Sequence, residues 1–362
     1  MISWYKKYAL ICSLCGGIGS KRYNMLLTHF NDPEKIFHAS LSQFVPLLGQ
    51  KIGERFFDLC KTQDTESYFS YLKNHNIDFL CCQDDAFPKS LKEIPDPPFC
   101  LYVKGNISLL SSDDLFAIVG TRKATSYGIQ ITKKLTMELV EAGFGIVSGL
   151  ALGIDAVAHR TCLSSKGKTI AVLGCGINTV YPSSHQSLYD EIISSGGAIC
   201  SEFYPDALVH KGFFVSRNRI ISGLSKGTLV IEGSIKSGAL ITAKCSIDQG
   251  KDVFACPGNI TSDSSAGPNY LIQQGAMLTT SITDILDAYA IRQPIAVPLP
   301  WIESLSQEAK TIVDCLKKEP LILDLILENV DLPISEVTSL LSELEIEGYI
   351  ERNKEGKYQI TI

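Results

Sequence analysis

Long apolar runs are missing from this sequence. No segment approaches 18 uninterrupted apolar residues, which leaves no candidate for a membrane-spanning helix. The first residues, Met1 to Leu14, lack the apolar core and small-residue cleavage site of a secretory signal, so a cytoplasmic location is expected. Cysteine is plentiful at 12, but an organised pattern of it is absent. Cys12 and Cys15 make the one CxxC spacing, and no second CxxC or histidine pair completes a zinc set. The thiols are expected to be reduced and to pack as small hydrophobes. Nucleotide fingerprints are lacking as well. There is no phosphate loop of the form GxxxxGK[ST]. Gly174 and Gly176 follow an apolar strand, but Thr179 stands where a dinucleotide site needs its third glycine. No GxSxG elbow offers an activated serine. No metal, no cofactor and no catalytic residue is therefore expected.

What is present is a chain of 362 residues with 45% apolar and 20% charged residues, long enough for two or three domains. Its net charge of −6 is unevenly spread. Ala117 to Thr280 holds 14 Lys/Arg against 11 Asp/Glu, a balance of +3, while Pro300 to Ile362 holds 6 against 13, a balance of −7. A mildly basic middle and an acidic tail call for different partners, and the tail is expected to meet protein rather than DNA.

Residues 1–75 read as short helices in a small domain. "GGIGSKRYNMLLTHF" and "LLGQKIGERFFDLC" each place glycines at a turn before apolar positions at helical spacing, like a degenerate helix-hairpin-helix pair. Such a module either touches nucleic acid or, as favoured here, serves structure and protein docking. Residues 76–114 read as an extended lead-in, stiffened by Pro95, Pro97 and Pro98. From 115 to 290, apolar strands ("LFAIVG", "FGIVSG", "TIAVLGCG", "AIC", "GTLVIEG", "KDVFACPG", "AMLT") alternate with amphipathic helices, the first capped by Ser126. That alternation implies an α/β fold, a Rossmann-like parallel sheet covered on both faces. Residues 291–302 hold three prolines and read as a linker. Residues 303–362 read as helices followed by a hairpin turning at "NKEGK", the pattern of a winged helix.

In an open parallel sheet, ligands sit beyond the carboxyl ends of the strands. The segments there are rich in Gly, Ser and Thr: Gly120 and Thr121 beside Arg122, Ser148 and Gly149, Gly174 and Gly176, Ser237 and Gly238. Together they suggest an anion-binding crest. "VSRNRIISG" adds Arg217, Asn218 and Arg219, with Lys211, Phe213 and Phe214 just upstream. Guanidinium groups suit phosphate and rings suit bases, the combination single-stranded nucleic acid needs. One of the two arginines is expected to be a buried partner of Glu202 or Glu232. Asp155 and His159, four apart on one helix face, could activate a nucleophile or fix the helix start, and the structural role is favoured.

The motifs "AIVGTRKATSYG", "IVSGLALGIDAVAH", "TIAVLGCGINTVYP", "SRNRIISGLS", "SGALITA", "VFACPGN" and "GPNYLIQQGA" resemble, in order and spacing, the DNA-processing protein A family (DprA, also called Smf). The match is close over about 115–280, and the lead-in "DPPFCLYVKG" is similar too. The N-terminal helices look like that family's sterile-alpha-motif-like domain and the tail like its optional winged helix. The resemblance implies a non-catalytic protein that binds and protects single-stranded DNA and loads the recombinase RecA onto it in natural transformation. It also implies a homodimer formed through the Rossmann-like domain. Arg122 would inherit a phosphate contact, and Lys211 and Phe214 fall where the family places a basic and an aromatic contact. Arg217, Asn218 and Arg219 match without change. Leu152 and Val215 depart from the family's usual arginine and proline. A competing reading is a nucleotide phosphoribohydrolase of the lysine-decarboxylase-like Rossmann group. "EGSIKSGALITA" lacks that group's double glycine and trailing glutamate.

Overall fold

A computed structural model of the chain describes residues 2–291, 305–316, 320–330, 332–353 and 356–360. The expected linker 291–302 lies outside the described residues but for Ile291, as do Lys354 and Glu355 at the tip of the expected hairpin. Residues up to Ile285 form one compact unit, and Leu286 onward a second.

The first unit opens with six short helices: α1 (Trp4–Cys15), α2 (Ser20–Phe30), α3 (Pro33–His38), α4 (Leu41–Leu48), α5 (Gln50–Thr62) and α6 (Thr65–Asn74). Their apolar faces meet around Tyr8, Tyr23, Phe44 and Phe56, which are fully buried. Tyr8 and Tyr23 stack at 4.6 Å, and the Tyr8 hydroxyl donates to the Tyr23 carbonyl at 2.7 Å. The same core continues into the sheet through Tyr102 and Ile199, so helices and sheet share one apolar interior.

The sheet has nine strands: β1 (Asp78–Cys81), β2 (Cys100–Gly105), β3 (Leu115–Val119), β4 (Gly145–Ser148), β5 (Thr169–Val172), β6 (Ala198–Ser201), β7 (Gly227–Val230), β8 (Asp252–Ala255) and β9 (Met277–Leu278). Their order is β1-β2-β6-β5-β4-β3-β7-β8-β9. From β6 to β9 all pairs are parallel, as expected for the Rossmann-like fold. The lead-in adds two strands to one edge of this parallel sheet. β2 runs antiparallel to β6, and β1 antiparallel to β2. The proline-rich lead-in is extended, as its sequence requires, and adds a hairpin to the sheet. The central strands are buried along their whole length, which explains their unbroken apolar composition.

Connecting helices are α7 (Lys89–Lys92), α8 (Ser126–Glu141), α9 (Ile154–Ser164), α10 (Gln186–Ser194), α11 (Lys211–Leu224), α12 (Gly238–Asp248), α13 (Asp263–Gln273) and α14 (Ile282–Ala288). The cap of α8 is Thr125, not Ser126: Thr125 has extended backbone and its hydroxyl accepts from the Gly128 N–H at 3.1 Å. The arginine segment is helical. In α11 the buried residues are Arg217, Asn218, Ile220, Ile221, Ser222, Gly223 and Leu224, and the polar ones among them interrupt the apolar pattern that would have signalled a helix.

The second unit contains α15 (Gln307–Leu316), α16 (Leu323–Asn329), α17 (Ile334–Ile346) and an antiparallel pair, β10 (Ile350–Arg352) with β11 (Tyr358–Ile360). Ile312, Val313, Leu341, Ile350 and Tyr358 form its core. Three helices and a two-stranded wing make the expected winged helix. Among the described residues no helix is long and apolar enough to cross a membrane, and no cluster of three or more His, Cys, Asp or Glu is poised to hold a metal ion.

Candidate functional site

Strand order reverses between β3 and β7, the two neighbours that lead in opposite directions across the sheet. A cleft is expected beyond the carboxyl ends of such strands, and one is found there, a cavity of roughly 860 Å3. The segment after β3 supplies Gly120, Thr121, Arg122 and Lys123 to it. The start of α11 supplies Lys211, Phe214 and Arg217, and the start of α12 supplies Ser237 and Gly238. Arg122, Lys123 and Lys211 are exposed. The Arg122 guanidinium lies over the Phe214 ring, 5.4 Å from its centroid, and Tyr181 tilts against the same ring at 5.5 Å. The rim is thus cationic and aromatic at once.

Beneath the rim lies a rigid floor. Leu150, after β4, is buried with φ of 55°, a left-handed conformation that a branched side chain resists. Two histidines impose it. The Leu150 N–H donates to His159 Nε2 at 3.4 Å, and His185 Nδ1 donates to the Leu150 carbonyl at 2.9 Å. Because His159 Nε2 accepts, its proton sits on Nδ1, which donates to Thr169 Oγ1 at 2.7 Å; that hydroxyl donates on to the Ile146 carbonyl. Burial holds His159 neutral, its pKa pushed down to about 3, with the Arg217 charge acting in the same direction. Asp155 accepts the Gly149 N–H at 3.1 Å. Asp155 and His159 therefore pin one loop rather than activate a nucleophile.

Arg217 locks this loop from above. It is 4% exposed, donates to the Val172 carbonyl, and lies so close over Gly149 that a Cβ there would stand 2.2 Å from Nη1. Burial raises the Asp155 pKa and lowers that of Arg217, and each charge opposes the shift of the other. The buried Arg217 Nε has no hydrogen-bond partner among the described residues.

The residues singled out in the sequence divide into two groups. Gly120, Thr121, Arg122, Lys211, Phe214, Arg217, Asn218, Ser237 and Gly238 line the cavity. Ser148, Gly149, Gly174, Gly176, Phe213 and Arg219 do not. Ser148 is fully buried and donates to the Ile118 carbonyl at 2.6 Å. Gly174 gives Phe214 room, since a Cβ there would meet the ring at 2.6 Å. The Gly176 N–H donates to the Ala207 carbonyl at 2.8 Å. Phe213 stacks on Phe203 at 3.9 Å. Arg219 is held by Asp96 at 3.1 Å and Glu202 at 2.5 Å, so the expected buried pairing falls on Arg219 and Glu202. Burial raises the Glu202 pKa and Arg219 opposes it. Among the described residues Glu232 has no arginine partner: it accepts from the Thr125 N–H at 3.0 Å and hydroxyl at 2.5 Å, and from Ser264 at 3.3 Å.

Many backbone N–H groups of the crest are used internally. Thr121 donates to the Glu232 carbonyl at 2.7 Å, Gly149 to Asp155, and Gly233 to the Ser264 carbonyl at 2.6 Å. Anion attraction at the rim thus rests chiefly on Arg122, Lys123 and Lys211 rather than on glycine turns. Sequence reasoning missed Tyr181, which lines the cavity and is 44% exposed. Its position in the segment after β5, on the same sheet edge as the chosen loops, was the available signal.

Comparison with known proteins agrees with this architecture. The family model described as DNA recombination-mediator protein A matches residues 78–290, and that of the DprA winged helix domain matches 297–356. Protein Smf of Escherichia coli is 37% identical over 315 residues, covering 82% of this chain and 81% of that protein. The structure of DNA processing protein A from Streptococcus pneumoniae superposes with a TM-score of 0.67 at 34% identity, covering 79% of this chain and 98% of that one. DNA processing protein A from Helicobacter pylori, solved to explain its single-stranded DNA binding mode, superposes with a TM-score of 0.53 at 32% identity, covering 59% of this chain and 95% of that one.

Proposed function

This chain belongs to the DNA recombination-mediator protein A family, and on that premise we propose that it binds single-stranded DNA in the cleft beyond β3 and β7 without catalysing a reaction on it. The observation that carries the reading is the convergence of Arg122, Lys211 and Phe214 on one cavity above a rigid floor. Cations there attract phosphates, and rings offer faces to unstacked bases. A flexible strand can follow such a cleft; a stiff duplex presents no free base to it.

In this reading the protein shields incoming strands and hands them to RecA during natural transformation, working as a homodimer built on the Rossmann-like domain. The family premise supports these steps. They are tested by following RecA filament assembly on single-stranded DNA, which should be faster with the wild-type protein than with the Arg122→Ala variant.

Binding itself is tested by anisotropy with labelled oligonucleotides. Single strands should bind more tightly than duplexes of equal length. Affinity should rise as salt falls, and Arg122→Ala should weaken binding while lowering the salt slope by about 1. A flat salt response, or unchanged affinity of Arg122→Ala, would remove the cleft from DNA binding. The phosphoribohydrolase reading gains nothing from Glu232, whose carboxylate is spent on Thr125 and Ser264. Incubation with AMP should release no ribose phosphate.

A further inference from the structure

Phe214 is the aromatic residue that the sequence nominates for base contact, yet its ring has little surface left to offer. It is half-buried, packs over the backbone of Gly174, carries the Arg122 guanidinium 5.4 Å from its centroid, and has Tyr181 tilted at 44° against it. Tyr181 is different. It lines the same cavity from the segment after β5, and the residue is 44% exposed. An aromatic ring held in a cationic cleft with nearly half its surface in water is the arrangement that stacks on an unpaired base.

We propose that Tyr181 is the residue on which a nucleobase of the bound strand stacks, with Phe214 as its buttress and as the seat for Arg122. The proposal rests on the single-strand reading above and adds a division of labour within it. Arg122 and Lys211 hold phosphates, through interactions that salt screens. Tyr181 holds a base, through contact area that salt barely affects. The Arg122–Phe214–Tyr181 contacts then set the spacing between a gripped phosphate and a stacked base. Sequence tolerance follows, because every base has a face to stack.

The test compares wild type, Tyr181→Ala, Tyr181→Phe and Arg122→Ala for binding to a labelled thymidine oligonucleotide and to the same length of abasic strand, across a salt series. Tyr181→Ala should weaken binding to the thymidine strand about tenfold or more, with the salt slope of wild type. Tyr181→Phe should bind as wild type, since the ring and not the hydroxyl is used. The abasic strand should bind wild type more weakly, and Tyr181→Ala should make no further difference to it. Thermal melting of Tyr181→Ala should stay close to wild type, because the residue is 44% exposed and not part of the core. Equal binding of the thymidine strand by wild type and Tyr181→Ala, with Arg122→Ala impaired, overturns the stacking role and leaves the cleft as a phosphate site. The same loss from Tyr181→Ala on abasic and thymidine strands overturns it too. Absence of single-strand binding by the wild-type protein overturns both this proposal and the one beneath it.

Discussion

At the scale of single residues, the two arginines of "VSRNRIISG" do different work although only one residue separates them. On a helix, positions 217 and 219 point about 200° apart. Arg217 faces the loops after β4 and β5, covering Gly149 and donating to Val172. Arg219 faces the lead-in and β6, where Asp96 and Glu202 meet it. Replacing Arg217 by Met would strand Asp155 without its opposing charge and leave the Val172 carbonyl unpaired. A loss of about 3 kcal/mol is expected in urea unfolding, and a change below 1 kcal/mol would show that the floor tolerates its removal. Arg219→Ala should lower stability too, since Arg219 and Glu202 are both largely buried. Its affinity for single-stranded DNA should stay within about twofold of wild type, a factor worth only ~0.4 kcal/mol; a larger loss would return Arg219 to the binding site.

At the scale of elements, the β4–α9 connection and the α8 cap are held by side chains far apart in sequence. His159 must stay neutral to accept the Leu150 N–H. Its folded pKa of about 3 lies below the usual 6.5, so the unfolded chain binds a proton that the folded chain refuses. The contribution to stability is complete above pH 6.5 and is lost as pH falls from there toward 3. By pH 5 the loss from this one group is about 2 kcal/mol. His159→Gln should flatten the pH dependence of the melting temperature between pH 7 and 5, and an unaltered profile would mean that another group sets it. At α8, Thr125→Ala removes the cap and a donor to Glu232 together, and should cost about 1–2 kcal/mol. Ser126→Ala, one residue on, should cost little, which tests where the helix begins.

At the scale of the whole molecule, charge separates the two units. The acidic winged helix carries the whole of the tail's balance of −7, and phosphate would be repelled from it. Deleting residues 300–362 should leave single-strand affinity within about twofold, a change under ~0.4 kcal/mol, as measured by anisotropy at moderate salt. A large loss would show that the winged helix takes part in binding. The first unit has its own continuous core from the N-terminal helices into the sheet, so the shortened chain should melt cooperatively.

Much of this was written in local pattern. Unbroken apolar strands, helix-spaced apolar faces and proline-stiffened segments each follow from backbone sterics and burial over a few residues. They yielded the Rossmann-like fold, the helical start, the winged helix and the strand-end position of the cleft. Arg122, Lys211 and Phe214, which line the cavity, lie beside such signals. Tertiary structure alone decided the rest. The pairing of β2 with β6, the turning of Arg219 toward Glu202, and the use of Gly149 and Gly174 as room for side chains all join residues with no local relation. So do the engagement of Glu232 by Thr125 and the exposure of Tyr181. Whether a polar side chain faces water or a partner depends on what the fold brings opposite it, and that is a property of packing which no short stretch of sequence contains.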